Sequence, residues 1–265
     1  MPSFQLFSEN RLGRDFVVGD LHGCRNLLEI RLKKIGFNFQ NDRLFSVGDL
    51  IDKGPDSFAT LSLIMEPWFF PVMGNHEDMF LHFMRLRHST KSTVQDFIDN
   101  GGTWVRYLTE SQQMYLAEVL LPKLLELPYL IRVEGKRPFN VVHAELVWPA
   151  DQPYSLELLL NDDRLFQNRA YLTWSRKLVS RGKRLIANVK SRNNEVDEIP
   201  GPGLSDGSIT YAGHTILRKP LQIEGNLFID GGAHLQFQNP ALNVGYLEGY
   251  AGRLIVVNHT DNSFV

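Results

Sequence analysis

The stretch Phe16-Val17-Val18-Gly19-Asp20-Leu21-His22-Gly23 joins a short apolar run to a tight polar turn carrying an aspartate and a histidine. The pattern recurs along the chain. Leu44-Phe45-Ser46-Val47 leads into Gly48-Asp49-Leu50-Ile51-Asp52-Lys53-Gly54, and Phe69-Phe70-Pro71-Val72 leads into Gly74-Asn75-His76-Glu77. Phe139-Asn140-Val141-Val142 ends at His143-Ala144-Glu145, and Ile209-Thr210-Tyr211-Ala212 ends at Gly213-His214-Thr215. β-branched and aromatic runs bounded by glycine read as strands. Sets of Asp, His and Asn therefore stand at the carboxyl ends of successive strands. Such donors suit hard or borderline cations rather than a thiolate or redox metal. A pair of ions of that kind can hold a phosphate and activate a water against it, so the pattern reads as a metal-dependent phosphoesterase.

Working outward, the first part alternates strand and helix. Strands at about 15–19, 43–48 and 69–73 are each followed by a helical pattern: His22 to Lys34, a helix starting near Pro55 and carrying Phe58, Leu61, Leu63, Ile64 and Met65, and one through Met79 to Leu86. Strands separated by helices of this length argue βαβ units and a parallel sheet, whose sites collect beyond the strand carboxyl ends. The middle, roughly 89–127, reads as mostly helical, broken at Gly101-Gly102 and interrupted at Pro122. The last part is β-rich: Tyr129–Val133, Phe139–His143, Ile209–Ala212, Leu221–Ile223, Leu227–Ile229, Ala241–Leu247 and Arg253–Val257 predict an antiparallel or mixed second sheet. Helices are expected at about 155–160 and 165–181, and a surface loop over Ser191 to Gly207. Metal-type residues occur in both β-rich halves, so the expectation is an α/β fold of two sheets flanked by helices, with 1–265 as a single domain.

Bulk properties exclude other classes. The 265 residues are 43% hydrophobic and 22% charged, with a net charge of −2, which gives no electrostatic case for nucleic-acid binding. Mean hydropathy is −0.20, and no apolar stretch approaches the length of a membrane span. One cysteine, Cys24, and no visible signal peptide in Met1 to Asn10 place the expectation in the cytoplasm.

Each cluster taken singly has a structural reading. Asp20 could cap the helix that follows it. Asp49 and Asp52 could belong to a solvated turn, although two carboxylates so close repel unless a cation lies near. Asn75-His76 could be a cap, and Glu77 could complement the helix N-terminus. His143 and His214 could be packed histidines, and His82, His88, His234 and His259 are assigned to structure or solvent. The conjunction of clusters outweighs these readings.

The motifs GDLHG, GDLIDKG and GNHE resemble the three signatures of the phosphoprotein phosphatase (PPP) superfamily, GDxHG, GDxxDRG and GNHE, within the calcineurin-like metallophosphoesterases. The resemblance runs from Asp15 to about Gly232. Asn100-Gly101-Gly102-Thr103-Trp104, Val142-His143-Ala144 and Trp174-Ser175-Arg176 resemble the bacterial branch that includes the bacteriophage lambda protein phosphatase. It implies the calcineurin-like fold, a two-sheet β-sandwich flanked by helices. It also implies that Asp20 and His22 bind a first metal, that Asp49 bridges two, and that Asn75, His143 and His214 complete the second site. His76 would be the general acid oriented by Asp52, and Arg176, with Lys53 beside it, would bind phosphate. Lys53 and Met73 stand where the resemblance expects arginines, and lysine supplies a point charge without the bidentate fork.

The chemistry so implied is in-line attack on phosphorus by a hydroxide activated between two divalent ions, with a proton donated to the leaving group. Mn2+ is the first choice of metal, with Fe2+ or Zn2+ as alternatives. The leading reading is a protein serine/threonine phosphatase acting on a phosphoprotein or small phosphoester. The alternatives are a dinucleoside polyphosphate hydrolase of the diadenosine tetraphosphate type, which the nonpolar Met73 favours, and a catalytically inactive metal-binding interaction module.

Overall fold

A computed structural model describes residues 4–86, 91–146, 154–157, 161, 170–182, 198–238 and 249–265. After an edge strand β1 (Phe4–Phe7), the strands β2 (Asp15–Val18), β3 (Arg43–Ser46) and β4 (Phe69–Pro71) pair in parallel as the sequence pattern predicts. Between them run α1 (Arg25–Lys34) and α2 (Ser57–Leu61), and α3 (Asn75–Leu86) follows β4. The α1 helix starts three residues later than expected, because His22 is committed to a turn at φ 41°. Pro55 precedes α2. The cap is Asp56, whose side chain accepts the Ala59 N–H at 2.9 Å.

The middle carries α4 (Lys91–Asp99), α5 (Glu110–Tyr115) and α6 (Leu121–Leu124). Pro122 does not end the helical run. The turn before it, Leu116–Leu120, widens to π geometry, as helices do where the regular ladder of hydrogen bonds is broken.

The strands β5 (Leu130–Val133) and β6 (Phe139–Val142) are followed by a short helix α7 (Ala170–Thr173) and then by β7 (Glu198–Ile199). Next come β8 (Ile209–Ala212), β9 (Leu221–Ile223) and β10 (Asn226–Phe228), and the described chain closes with β11 (Val256–Asn258) and β12 (Ser263–Phe264). One sheet has the order β1-β5-β6-β8-β10-β9-β7, and the other β12-β11-β2-β3-β4. Both mix parallel and antiparallel pairs. The expected loop over Ser191 to Gly207 is corrected in part, since Glu198–Ile199 joins the first sheet against β9. The expected helix at 165–181 breaks at 174–176 between helical 170–173 and 177–182. The strand expected at Ala241–Leu247 lies outside the described residues.

The sheets face one another. Val17, Phe45 and Val257 from one sheet meet Ile131, Val133, Phe139, Val141 and Tyr211 from the other, and Phe45 packs edge-on against Phe139 at 5.4 Å. The alternate residues Phe16, Val18 and Leu44 point the other way, into a core shared with Leu28, Leu32 and Phe80 of the helices. Burial on both faces is why these strands read as unbroken apolar runs. Truncating the fully buried Phe45 to alanine would cost about 3–5 kcal/mol.

Candidate dinuclear metal centre

The strand-end turns are bent in the same unusual way. His22, Asp49, Asp52, Lys53 and His214 all have φ between 41° and 71°. Non-glycine residues in this left-handed region cost of order 1–3 kcal/mol each, and such strain concentrates at functional sites. The neighbouring glycines permit the crowding. A β-carbon at Gly213 would overlap the Asp20 carboxylate, and one at Gly74 would overlap Asp49 and Glu77. Glu77 is fully buried, and it does more than complement a helix end. Its carboxylate accepts the N–H groups of Asp49 and Leu50, both at 2.8 Å, and that of Gly74 at 3.1 Å, tying the second cluster to the third.

On one side of Asp49 lie Asn75, His143 and His214. The His143 Nδ1–H donates to the Val47 carbonyl at 2.7 Å, which leaves Nε2 as a lone-pair donor. That atom lies 2.8 Å from Asn75 Oδ1 and 3.3 Å from Asp49 Oδ1, and His214 Nδ1 lies 3.0 Å from the same Asn75 oxygen. Lone pairs converging at these distances fit a shared cation. Burial lowers the basicity of His143, and burial together with His143 and Arg176 pushes His214 down to about 3. Both rings are therefore neutral donors near pH 7.

On the other side lie Asp20, His22 and His76. The His22 Nδ1–H donates to the Ile51 carbonyl at 2.9 Å, and Nε2 faces Asp49 Oδ2 at 3.5 Å and Asp20 Oδ2 at 4.0 Å. Asp20 does not cap α1. Its carboxylate accepts the His214 N–H at 3.1 Å, stitching the first cluster to the fifth. Burial, then the neighbouring Asp230 and Asp49 carboxylates, push Asp20 well up, a repulsion that a divalent cation would relieve. Burial alone would raise Asp49, but His143, His76 and His22 outweigh it and hold Asp49 far below the usual carboxylate range. Asp49 is the member common to two donor groups, His22–Asp49–His76 and Asp49–His143–His214, whose atoms lie within 4.8 Å of one another. The donor set of carboxylate, amide oxygen and neutral imidazole fits a pair of hard or borderline divalent cations.

A family model described as calcineurin-like phosphoesterase matches residues 16–215. The chain belongs to the calcineurin-like phosphoesterases. Among its relatives, serine/threonine-protein phosphatase 1 of Salmonella typhimurium is 35% identical over 218 residues, 82% of this chain and 86% of that one. Serine/threonine-protein phosphatase 2 of Escherichia coli is 33% identical over 171 residues, 57% of this chain and 76% of its own length. Bis(5'-nucleosyl)-tetraphosphatase, symmetrical, of Wigglesworthia glossinidia brevipalpis is 29% identical over 135 residues, covering 50% of this chain and 44% of the relative. A crystal structure described provisionally as a diadenosine tetraphosphatase superposes with a TM-score of 0.55 at 20% identity, covering 98% of this chain and 96% of its own, a likeness of fold. This calcineurin-like phosphoesterase is thus a metal-dependent hydrolase, as the strand-end clusters led us to expect.

Not every expected residue lies where the motif pattern suggested. Met73 is fully buried and belongs to the apolar core cluster, so its side chain serves packing. Lys53 Nζ reaches to 3.1 Å from His22 Nε2. Arg176 is exposed, with Nη2 3.4 Å from the His214 carbonyl. Its loop is fastened by the buried Glu145, which accepts the Ser175 hydroxyl, the Lys177 N–H at 2.6 Å and the Leu178 N–H at 3.0 Å. Cys24 is buried and its thiol is pushed up to about 12, which removes it as a nucleophile.

Sequence reasoning missed two members of this calcineurin-like site. Trp104 donates its indole N–H to Asp52 Oδ1 at 2.7 Å, while Asp52 Oδ2 lies 2.7 Å from His76 Nδ1. The signal was the Gly101-Gly102 break, which brings this segment against the backbone of Lys53. The second is His234, assigned above to structure or solvent. It follows β10 through Asp230-Gly231-Gly232, forming a sixth strand-end cluster, and its ring lies edge-on to His22 at 4.8 Å. Of the other histidines so assigned, His82 is exposed, His259 is buried away from the site between Tyr211 and the Arg137 carbonyl, and His88 lies outside the described residues.

Proposed function

We propose that this chain is a protein serine/threonine phosphatase. The observation that carries the reading is the 35% identity to the Salmonella typhimurium phosphatase across 86% of that relative, whereas the Wigglesworthia tetraphosphatase is matched over 44% of its length. Asp20, His22 and Asp49 would hold one divalent cation, and Asp49, Asn75, His143 and His214 would hold the second. Mn2+ is the proposed metal, because the donor set lacks sulfur. Bound there, the two cations supply Lewis-acid polarisation of the phosphoryl group and a nucleophilic water active near neutral pH.

The side chains do the rest. Asp52, fixed by the Trp104 indole, orients His76 through Nδ1. His76 then gives its Nε2 proton to the oxygen that leaves phosphorus, an effect typically worth about 10²–10⁴-fold. Arg176 and Lys53 set positive charge against the negatively charged phosphoryl oxygens, while the proton from His76 meets the negative charge that develops on the leaving oxygen as its bond to phosphorus breaks. No covalent enzyme intermediate is required, in keeping with a buried, protonated Cys24.

No helix of the described residues is long and apolar enough to cross a membrane. The proposed location is the cytoplasm, supported by a cysteine content of one, the buried Cys24, which leaves no internal disulfide to form. A dinucleoside polyphosphate is the second reading, favoured by the tetraphosphatase relatives. Turnover of a phosphoserine peptide and of diadenosine tetraphosphate, measured side by side with added Mn2+, separates them. Higher kcat/KM on the peptide is the expected result, and preference for the dinucleotide would replace this reading with the second.

A further inference from the structure

His234 is held in place by its own strand end. Asp230 Oδ1 accepts the Gly232 N–H at 2.8 Å, Gly232 turns at φ 66°, and a tight helical turn over Ala233–Phe237 carries the imidazole to the edge of His22. The side chain is 4% exposed, and its Nδ1 has no hydrogen-bond partner among the described residues. Leaving a buried polar atom unpaired is costly, so such an atom calls for an explanation. The fold shows what a structural histidine looks like. His259, also buried, uses both nitrogens, with Nδ1 2.9 Å from the Tyr211 hydroxyl and Nε2 3.0 Å from the Arg137 carbonyl. His234 departs from that pattern inside the site.

His234 is not a member of the two donor groups that share Asp49. A phosphate role does fit. Lys53 Nζ lies 3.1 Å from the Nε2 of the same His22 against which His234 packs. A phosphoryl group presents several non-bridging oxygens, and the Met73 side chain offers none of them a donor. An imidazole can carry its proton on Nδ1, which makes the unpaired Nδ1 of His234 a hydrogen-bond donor available to an anion.

We propose that His234 is a phosphate-binding residue whose Nδ1–H donates to a non-bridging oxygen of the phosphoryl group, alongside Lys53. The proposal rests on the dinuclear reading of the site but not on the choice between phosphopeptide and dinucleotide.

The test uses inorganic phosphate, the common product of phosphomonoester hydrolysis, titrated calorimetrically into the Mn2+-loaded full chain, with Mn2+ titrated separately into the metal-free chain. For His234→Phe the expected result is a phosphate Kd about tenfold weaker, as for loss of one hydrogen bond to a charged group. KM for an aryl phosphate should rise in parallel while kcat changes little. Mn2+ affinity and stoichiometry should stay as in the wild type. His234→Gln, which keeps an N–H donor, should recover most of the phosphate affinity. An unchanged phosphate Kd in His234→Phe overturns the proposal, and so does a parallel loss of Mn2+ affinity, which would place the ring among the metal supports. If His234→Phe does not fold, histidine 15N NMR of the Zn2+-loaded wild type decides. Phosphate must shift the Nδ1 resonance of His234, identified by its absence in His234→Gln, and a resonance that stays in place overturns the proposal.

Discussion

Asp52 Oδ2 lies 2.7 Å from His76 Nδ1, and the other Asp52 oxygen is held at 2.7 Å by Trp104. Both carboxylate oxygens are occupied, and the residue is wholly buried. The arrangement leaves His76 one free nitrogen, Nε2, 3.8 Å from Asp49 Oδ2 and on the side where the metal donors converge. A proton donor at this place, the role proposed for His76, would matter in proportion to how poorly the leaving group departs.

His76→Asn should therefore lower kcat on a phosphoserine peptide by about 10²–10⁴-fold and on an aryl phosphate by far less. Steady-state kinetics on both substrates check this. Equal losses would mean that His76 serves the metals instead, as its place in the His22–Asp49–His76 donor group allows.

Trp104→Phe removes one hydrogen bond to a buried carboxylate without removing the ring from its packing against Phe80. We expect roughly a tenfold loss of kcat on the phosphopeptide, with little change on the aryl phosphate. An effect equal on both would show that the indole supports the fold rather than the orientation of Asp52.

Asp49 is shared by both donor groups, so Asp49→Asn should reduce metal affinity at both positions together. Chelation by EDTA should abolish turnover in the wild type, and readdition of Mn2+ should restore it there but not in the variant. Metal content measured by mass spectrometry provides the check. Two metals bound at near wild-type affinity would rule out a bridging role for Asp49.

Met73 sits in the core, so restoring the arginine of the motif pattern should harm the protein. Met73→Arg is expected to destabilise by about 3–5 kcal/mol, the penalty of an uncompensated buried charge. Lys53→Arg keeps its place beside His22 and should lower KM for phosphomonoesters while leaving the melting temperature nearly unchanged. Thermal denaturation of both variants separates the two positions. A stable Met73→Arg with a lowered KM would return residue 73 to the phosphate pocket.

Asp42 offers a pH test of the fold. Burial alone would raise it, but hydrogen bonds from the Arg14 side chain and from the Asn38 and Arg14 N–H groups hold it below the usual carboxylate value. A carboxylate depressed in the folded state contributes stability above its unfolded pKa, and that contribution is lost as pH falls through the folded value. Asp42→Asn should thus be less stable than the wild type at neutral pH, and the gap should close toward strongly acid pH. Urea unfolding across that range measures it, and a gap independent of pH would assign the effect to packing.

The sequence by itself determined the parallel β2-β3-β4 unit, the second mixed sheet and nearly all the strand-end donors. These follow from local rules: apolar runs long enough for a strand, glycines where the chain must turn tightly, and acid, amide and imidazole groups placed directly after them. The elements it missed are short. β1 and β7 have four and two residues, and their pairing is supplied by β5 and β9 across large separations in sequence. Where Met73, Trp104 and His234 sit was decided only by tertiary structure. Motif spacing put Met73 beside the phosphate, but a residue next to a strand end can also pack into the core, and Met73 is fully buried in the apolar cluster there. Trp104 reaches Asp52 across a separation of 52 residues, and His234 reaches His22 because β10 pairs with β8. Periodicity in the chain specifies which face a side chain takes within one element. Which distant faces then meet is settled by how the sheets and helices pack, and that packing set the second layer of this site.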